Sequence, residues 1–208
     1  MARYNGPVCR LCRRAGQKLF LKGIRCEGPK CAMETHHSPP GMRASNLPQR
    51  RPSDYALQLR EKQQLRNFYG MLEKPFRRYV RRAERMTGVS GELLLQLLER
   101  RLDNVVYRAG FASGRQQARQ WITHGHLAVN GHTVNIPSYQ VKVGDVVTIR
   151  ENLRQTPDLV TSMGAGVAVP GWLTPAPEQY QATVNALPIR ADIQVPVDEQ
   201  IVMEFYSR

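Results

Sequence analysis

The sequence predicts an α+β fold in two parts, a helical N-terminal part that carries a cysteine knuckle and a smaller module of two helices and a hairpin. Three observations predict it. All the cysteines lie within the first 31 residues, apolar residues recur at helical spacing between residues 53 and 123, and an Asn-Gly pair near residue 130 separates two short β-prone runs. A run of helices followed by strands, without regular alternation of the two, indicates the α+β class.

The knuckle has the spacing C-x2-C-x13-C-x4-C and consists of Cys9, Cys12, Cys26 and Cys31. Two close pairs joined by a loop allow four thiolates to converge on one cation, and a closed four-sulfur shell favours a structural Zn²⁺. No coordination position would then remain for a catalytic water. An iron–sulfur cluster is the minor alternative, because thiolates also hold such clusters. His36 and His37 could replace a sulfur, although the Ser-Pro-Pro-Gly run after them favours loop or phosphate-contact residues.

Two disulfides are the other interpretation of these cysteines, and they would need an oxidising compartment. The first four residues do not begin a signal peptide, and the sequence contains no long apolar run. We therefore expect reduced cysteines in a cytoplasmic protein. With 208 residues and 41% hydrophobic content, the chain is large enough for one large or two modest domains.

The net charge of +13 indicates a polyanionic partner. Residues 1–90 carry 20 Lys or Arg against 6 Asp or Glu, residues 91–165 carry 8 against 6, and residues 166–208 carry 2 against 5. Between the first and last cysteine, Glu27 is the only acid. The cations interleaved with the cysteines are Arg10, Arg13, Arg14, Lys18, Lys22, Arg25 and Lys30. The anion-binding surface is therefore predicted to be mostly N-terminal.

After the knuckle, the proline-rich residues 35–52 predict an extended connector. Ser53 fits the N-cap of a first helix. The Lys74-Pro75 pair should separate that helix from a second one, because proline disfavours helix at the residue before it but fits a first helical turn. Two helices in this order are therefore expected before residue 87.

The second helix, from Pro75 to about Met86, has one apolar and one cationic face on a helical wheel. The apolar face consists of Phe76, Tyr79, Val80, Ala83 and Met86. The cationic face consists of Arg77, Arg78, Arg81, Arg82 and Arg85. Like charges on one face repel one another, so a solvated face would usually include acids, whereas a phosphate backbone removes the penalty. A merely solvated face remains the alternative.

The next stretch predicts a single apolar helix over residues 90–109, ended by Gly110. Ser113 followed three residues later by Gln116 fits a capping box that opens a helix to about Thr123.

Residues 125–134 then predict two short strands joined by the Asn130-Gly131 turn, and residues 146–149 predict a further strand. Residues 155–192 show no clear pattern, and Trp172 within them fits either a docking point or an exposed position. Residues 193–206 alternate as a strand would.

Many short segments resemble the bacterial small ribosomal subunit protein four family along essentially the whole chain. In the module they are RLDNVVYR at 101–108, GFA at 110–112, AR at 118–119, GH at 125–126, VNG at 129–131, IPSY at 136–139 and GD at 144–145. The flanking segments are SDY at 53–55, LREKQ at 59–63, LR at 65–66, YG at 69–70, FRRY at 76–79 and EQIVMEFYSR at 199–208. Gly171 and residues 35–37 depart from the usual family pattern.

The resemblance implies a zinc-knuckle and helical N-terminal domain plus a small helix-helix-hairpin RNA-binding domain of the ribosomal S4 type. The first domain would span residues 1–89 and be completed by the tail near 193–208. The second would span residues 90–192, with a core near 99–163 and a loop-rich extension.

The resemblance further implies a structural constituent of the small ribosomal subunit and not an enzyme. It would be a primary binder of a junction in the 5′ domain of 16S rRNA, nucleating assembly of the subunit body. Its neighbours would include small-subunit protein five, other small-subunit proteins, and messenger RNA near the messenger entry channel. Together with neighbouring small-subunit proteins it would contribute to translational accuracy. A membrane and a small-molecule substrate are not expected. Whether this chain also represses its own operon is left open.

Phosphate neutralisation should supply affinity for RNA, while the shape of the junction supplies selectivity, because A-form helices hide their base edges. The candidate RNA-binding residues are Arg3, Arg10, Arg13, Arg14, Lys22, Lys30, Arg43, Arg50, Arg51, Arg60, Lys62, Arg66, Tyr69, Arg77, Arg78, Arg81, Arg82, Arg85, Arg101, Ser113, Arg115, Arg119, His126, Asn130 and Lys142.

Two other classes of protein fit parts of this pattern. An RNA-modifying enzyme could carry such a module, but no nucleophile–base pair or phosphate-cradling glycine loop stands out in the sequence. A zinc-dependent DNA-binding regulator could use the cationic helix, but no recognition helix with dimerisation heptads is evident.

Overall fold

The computed structural model describes residues 3–36, 38–41, 51–164 and 168–207. The chain divides into two compact units, one formed by Met1–Leu94 with Val195–Arg208 and the other by Leu95–Gln194. The first unit therefore combines both ends of the chain.

The first unit begins with the cysteine knuckle. It contains helix α1 (Cys9–Ala15), a 3₁₀ turn (Gly23–Cys26) and the short helix α2 (Ala32–Thr35). Helix α1 ends at Gly16, whose positive φ of 79° suits a residue without a Cβ and lets its N–H donate to the carbonyl of Cys12. Helix α1 packs against α2 and against the next long helix.

Two helices follow, α3 (Asp54–Phe68) and α4 (Glu73–Glu84). The predicted N-cap is confirmed, because the Oγ of Ser53 accepts a hydrogen bond from the N–H of Ala56 at 3.3 Å. The predicted separation near Lys74-Pro75 is also confirmed, although α4 begins two residues before the proline. Helix α5 (Ser90–Glu99) starts in this unit.

The C-terminal segment of the first unit is helix α10 (Glu199–Ser207), which packs against α3. The prediction of a strand over residues 193–206 is therefore wrong. Val195 and Val197 are buried at alternate positions as the pattern required, but Asp198 then caps a helix, its Oδ1 accepting the N–H of Gln200 at 2.9 Å. The helix cap outweighs a weak alternation.

A polar cluster around Glu73 links α3, α4 and α10. The Oε2 of Glu73 accepts from the Nζ of Lys62 at 3.0 Å and from the Nη1 of Arg66 at 3.2 Å, and its Oε1 accepts from the hydroxyl of Tyr206 at 2.6 Å. Burial alone would raise the pKa of Glu73, but the Tyr206 hydroxyl and the ammonium of Lys62 outweigh it and hold that pKa below its usual value.

We expect Glu73→Gln to weaken the first unit more at neutral pH than in acid. A carboxyl whose folded pKa is depressed stabilises the fold above its unfolded pKa of about 4.3, and loses this contribution as the pH falls through the folded pKa. Thermal unfolding of both proteins from pH 7 to pH 3 measures the difference. The matched control is Glu84→Gln, which removes an exposed acid from the same helix. A destabilisation by Glu73→Gln that does not change with pH would contradict this expectation.

The second unit contains two central helices, α6 (Leu102–Arg108) and α7 (Arg115–Thr123), which pack against each other. Its five strands are β1 (Leu127–Val129), β2 (His132–Thr133), β3 (Val146–Ile149), β4 (Leu173–Ala176) and β5 (Gln181–Val184). They form one antiparallel sheet in the order β2-β1-β3-β5-β4.

The shorter elements of the second unit are helices α8 (Glu151–Arg154) and α9 (Pro157–Gly164) and two 3₁₀ turns (Pro177–Gln179 and Arg190–Asp192). The predicted helix that ends at about Thr123 is confirmed as α7, and the predicted hairpin is confirmed as β1 and β2. Asn130 and Gly131 are both at positive φ, as a tight two-residue turn requires.

Three predictions for the second unit need correction. The single helix over residues 90–109 is broken, because Arg101 leaves the helical conformation and bridges to Gln140. The N-cap of α7 is Gly114 and not Ser113, and the glutamine that reaches back is Gln117 and not Gln116, its Oε1 accepting from both the N–H and the Oγ of Ser113 at 2.8 Å. The tail without a pattern supplies helix α9 and strands β4 and β5.

One hydrophobic core holds this unit together, with apolar residues of α6, α7 and all strands except β2. Trp172 belongs to it and is only 2% exposed, so the interpretation as an exposed residue is wrong and this part of the tail docks into the core through Trp172. No helix among the described residues is long and apolar enough to span a membrane.

Candidate nucleic-acid interface

Helix α4 carries the clearest candidate surface. The five predicted arginines, which we call the arginine face, are all exposed: Arg77, Arg78, Arg81 and Arg82 lie on α4, and Arg85 is the C-cap that directly follows it. On the opposite side Phe76, Val80 and Ala83 are buried. Among the residues that the structure describes, none of these arginines forms an ion pair with an acid. A row of such guanidiniums creates a strong positive potential along the helix.

The knuckle adds further exposed cations to the first unit. They are Arg3, Arg10, Arg14, Lys22 and Lys30, and Arg51 and Arg60 are exposed in the segment that follows. Arg13 is half-buried and instead holds the loop after the knuckle, donating to the carbonyls of Ser38 at 2.9 Å and Pro39 at 3.3 Å. The candidates Arg43 and Arg50, like His37, lie outside the described residues.

The four cysteines of the knuckle are all reduced, and all except Cys9 are buried. Burial raises the pKa of the Cys12 and Cys26 thiols, and the neighbouring cysteines raise it further. The Sγ of Cys26 accepts the N–H of Lys22 at 3.3 Å. Within the described ranges, however, no three or more His, Cys, Asp or Glu side chains are arranged to hold a metal ion. The predicted zinc knuckle is therefore not confirmed by the side-chain geometry, although the thiols are neighbours.

Four candidate residues are buried and serve the fold. Lys62 is 4% exposed, pairs with Glu73 and lies 4.9 Å from the centre of the Phe205 ring, while Tyr69 is 3% exposed. Arg101 and Arg119 are likewise buried and share the carboxylate of Asp103. Direct contact of these side chains with RNA does not fit their burial, because each is already desolvated and paired or packed. Arg66 is half-buried and paired with Glu73.

The remaining candidates of the second unit are at least partly exposed. Lys142 is exposed, and His126 is half-buried. The side chain of Asn130 is used internally, since its Nδ2 donates to Asp145 and its Oδ1 accepts the N–H of Val146, both at 2.9 Å. Its role is therefore to fix the hairpin turn.

Arg115, the first residue of α7, is half-buried, and its guanidinium carbon lies 4.5 Å from the centre of the Tyr107 ring. Ser113, two residues before it, is also half-buried and is held by Gln117. Arg115 therefore contributes a cation at the start of a nine-residue helix, and Ser113 belongs to the loop that leads into that helix.

The sequence interpretation missed two cations beside the sheet. Arg150 is exposed and its Nη1 donates to the carbonyl of Gly125 at 3.1 Å, and Arg154 lies 5.1 Å from the centre of the Tyr180 ring. Both line an open groove of about 690 Å³, which Asn130 and Thr148 also line. The position of Arg150 directly after strand β3 was the available signal for that residue, and Arg154 ends the short helix α8 that follows.

The arrangement is suited to binding a polyanion over an extended surface. Exposed guanidinium and ammonium groups contact phosphate without needing a preformed cavity, and a shape-defined RNA is recognised mainly through its backbone and 2′-hydroxyls.

Comparison with known proteins gives two family matches. Residues 3–99 match the family described as "Ribosomal protein S4/S9 N-terminal domain", and residues 100–147 match the "S4 domain". Among similar proteins, small ribosomal subunit protein uS4A of Symbiobacterium thermophilum is 53% identical and small ribosomal subunit protein uS4 of Gloeobacter violaceus is 52% identical. The uS4 protein of Halothermothrix orenii is 50% identical. Each alignment covers 100% of both chains.

Proposed function

Because the chain belongs to the small ribosomal subunit protein uS4 family, we propose that it binds 16S rRNA directly, at a junction in the 5′ domain, and nucleates assembly of the subunit body. It is a structural constituent of the small ribosomal subunit and not an enzyme, since the family is one of ribosomal structural proteins. Its place of action is accordingly the small subunit in the cytoplasm.

The arginine face of α4 is the observation that supports direct binding best. Five exposed guanidiniums on one helix face, with an apolar face opposite, combine a fixed geometry with charges that phosphate would neutralise. The exposed cations of the knuckle, and Lys142 and Arg115 of the second unit, would add contacts. We take the two compact units as the two RNA-binding domains.

Selectivity would come from the shape of the RNA junction, because side chains cannot reach base edges in the deep groove of A-form RNA. We propose three further partners, namely small-subunit protein five, other small-subunit proteins, and messenger RNA near the messenger entry channel. Translational accuracy and repression of its own operon would depend on these same surfaces.

Primary binding is tested with the purified chain and 16S rRNA in the absence of every other small-subunit protein. We expect one chain per RNA, with competition by a 5′-domain fragment and not by duplex DNA. Binding that requires another subunit protein first would contradict a primary role, and effective competition by DNA would favour a DNA-binding regulator.

We also propose that Cys9, Cys12, Cys26 and Cys31 together hold one structural Zn²⁺. The donor set supports this, because the four thiols are reduced and occupy one knuckle, and because burial and the neighbouring cysteines raise the pKa of Cys12 and Cys26, whose thiolate charge a metal would stabilise. A bound zinc would contribute folding free energy to a segment with little apolar core. An iron–sulfur cluster is the alternative cofactor for the same ligands.

Elemental analysis of the purified chain is expected to give one zinc per chain, and Cys26→Ser is expected to lower that content sharply. A chelator should lower the unfolding temperature of the first unit and leave that of the second unit unchanged, since the second contains no cysteine. A folded chain that contains no metal, and whose unfolding temperature a chelator does not change, would contradict the zinc proposal. Visible absorption with iron content would replace zinc by a cluster.

A further inference from the structure

A buried carboxylate in the second unit holds one amide and one guanidinium. Glu99 is 1% exposed, and its Oε2 accepts from the Nδ2 of Asn104 at 2.7 Å and from the Nε of Arg108 at 3.1 Å. Its Oε1 accepts from the Nη2 of Arg108 at 3.0 Å. The backbone carbonyl of Glu99 accepts from the same amide nitrogen at 3.0 Å. The side chain of Asn104 is therefore fixed at its nitrogen end.

Because the nitrogen of the Asn104 amide is fixed toward Glu99, its oxygen must point the other way, toward Arg115. Its Oδ1 accepts from the Nε of Arg115 at 2.7 Å, and Asn104 itself is 1% exposed. A reversed amide would put an N–H₂ group against the guanidinium and an oxygen against the Glu99 carboxylate, losing both hydrogen bonds. Glu99 thus determines that Asn104 offers an acceptor to Arg115.

The guanidinium of Arg115 is held on a second side by the ring of Tyr107, with 4.5 Å between its central carbon and the ring centre. Arginine loses considerable rotamer freedom when it is immobilised at an interface, so a side chain that is already held loses less on binding. The residue Arg115 is half-buried and its Nη2 is shielded from solvent, so a phosphate would approach the part of the residue that remains exposed.

We propose that Glu99 and Asn104 are positioning residues that orient the guanidinium of Arg115 toward an RNA phosphate. The proposal rests on the proposed RNA-binding function and adds to it two residues that do not touch RNA themselves. Arg108, which shares the carboxylate, completes the support of Glu99.

The test compares the full chain with Asn104→Leu, Arg115→Ala and the double variant, in binding to a 16S 5′-domain fragment across a salt series. Loss of one phosphate contact lowers the slope of log K against log salt by about 0.7–0.9. Each single variant should show this loss, and the double variant should show it once. Two separate losses in the double variant, or an unchanged slope in Asn104→Leu, would overturn the proposal.

Arg115→Lys provides a test that does not depend on Asn104→Leu folding. Lysine keeps the positive charge but has no Nε–H that the Oδ1 of Asn104 can hold in the same place. We therefore expect Arg115→Lys to lower the slope as Arg115→Ala does. An unchanged slope in a folded Arg115→Lys variant would show that charge alone suffices at this position and would overturn the positioning role of Asn104.

Arg81→Ala on the arginine face is the control in the other unit. It should lower the slope to the same extent whether or not Asn104 is replaced. If Arg81→Ala lowers the slope and Arg115→Ala does not, the positioning proposal alone fails. If neither variant changes the slope, the proposed function fails as well.

Discussion

Replacing all five residues of the arginine face, Arg77, Arg78, Arg81, Arg82 and Arg85, by glutamine is expected to remove a large part of the salt dependence of RNA binding. Each phosphate contact contributes about 0.7–0.9 to the slope of log K against log salt, so five contacts account for about 3.5–4.5. Between 50 and 200 mM salt, the unchanged chain should then lose on the order of 100-fold more affinity than the variant.

The fold should tolerate these five changes, because all five side chains are exposed and the helix is anchored by Phe76, Val80 and Ala83. The matched control replaces the same five arginines by lysine, which keeps the charge but loses the planar donor fork. We expect the lysine variant to retain the slope. Equal slopes for the glutamine variant and the unchanged chain would show that the arginine face is only a solvated surface.

Asp103→Asn is expected to cause the largest loss of stability of any single change considered. Its carboxylate, with a side chain 6% exposed, accepts from the Nε of Arg101 at 3.0 Å and pairs with Arg119 at 3.4 Å. Removing the carboxylate from a buried charge cluster costs about 3–5 kcal/mol, because the guanidiniums remain desolvated without it. For a unit of this size, that corresponds to a fall of more than about 10 °C in unfolding temperature.

Thermal unfolding of the full chain, followed at the transition of the second unit, measures this loss. The matched control is Glu178→Gln, which neutralises an exposed acid in the same unit and should change the unfolding free energy by less than about 0.5 kcal/mol. A comparable effect of the two changes would contradict the buried role assigned to Asp103.

The sequence predicted best those elements that are specified locally. The two faces of α4, the Ser53 cap and the Asn130-Gly131 turn each depend on residues within a few positions of one another. Periodicity, capping and turn chemistry therefore carry enough information to identify them.

The errors concern residues whose structure depends on distant partners. Residues 193–198 alternate like a strand, but helix α10 follows because Asp198 caps it and α3 receives it. Strands β4 and β5 extend a sheet begun by β3, and the pattern of residues 155–192 alone gave no sign of this.

The sequence alone also could not show which cationic side chains are exposed and which are buried. Arg101 and Arg119 look like phosphate ligands until Asp103 is seen between them, and Lys62 looks solvated until Glu73 and Tyr206 enclose it. A charged residue is buried only with partners, and those partners come from other elements of the fold.

The central claim is that this chain recognises the shape of a folded RNA junction through phosphate contacts. The most direct measurement is its affinity for the folded 5′-domain junction of 16S rRNA against a scrambled RNA of equal length, across a salt series. We expect a strong preference for the junction, with binding to both RNAs weakening steeply as salt rises. Equal affinity for the two RNAs at every salt concentration would contradict the claim and reduce the surface to a general binder of polyanions.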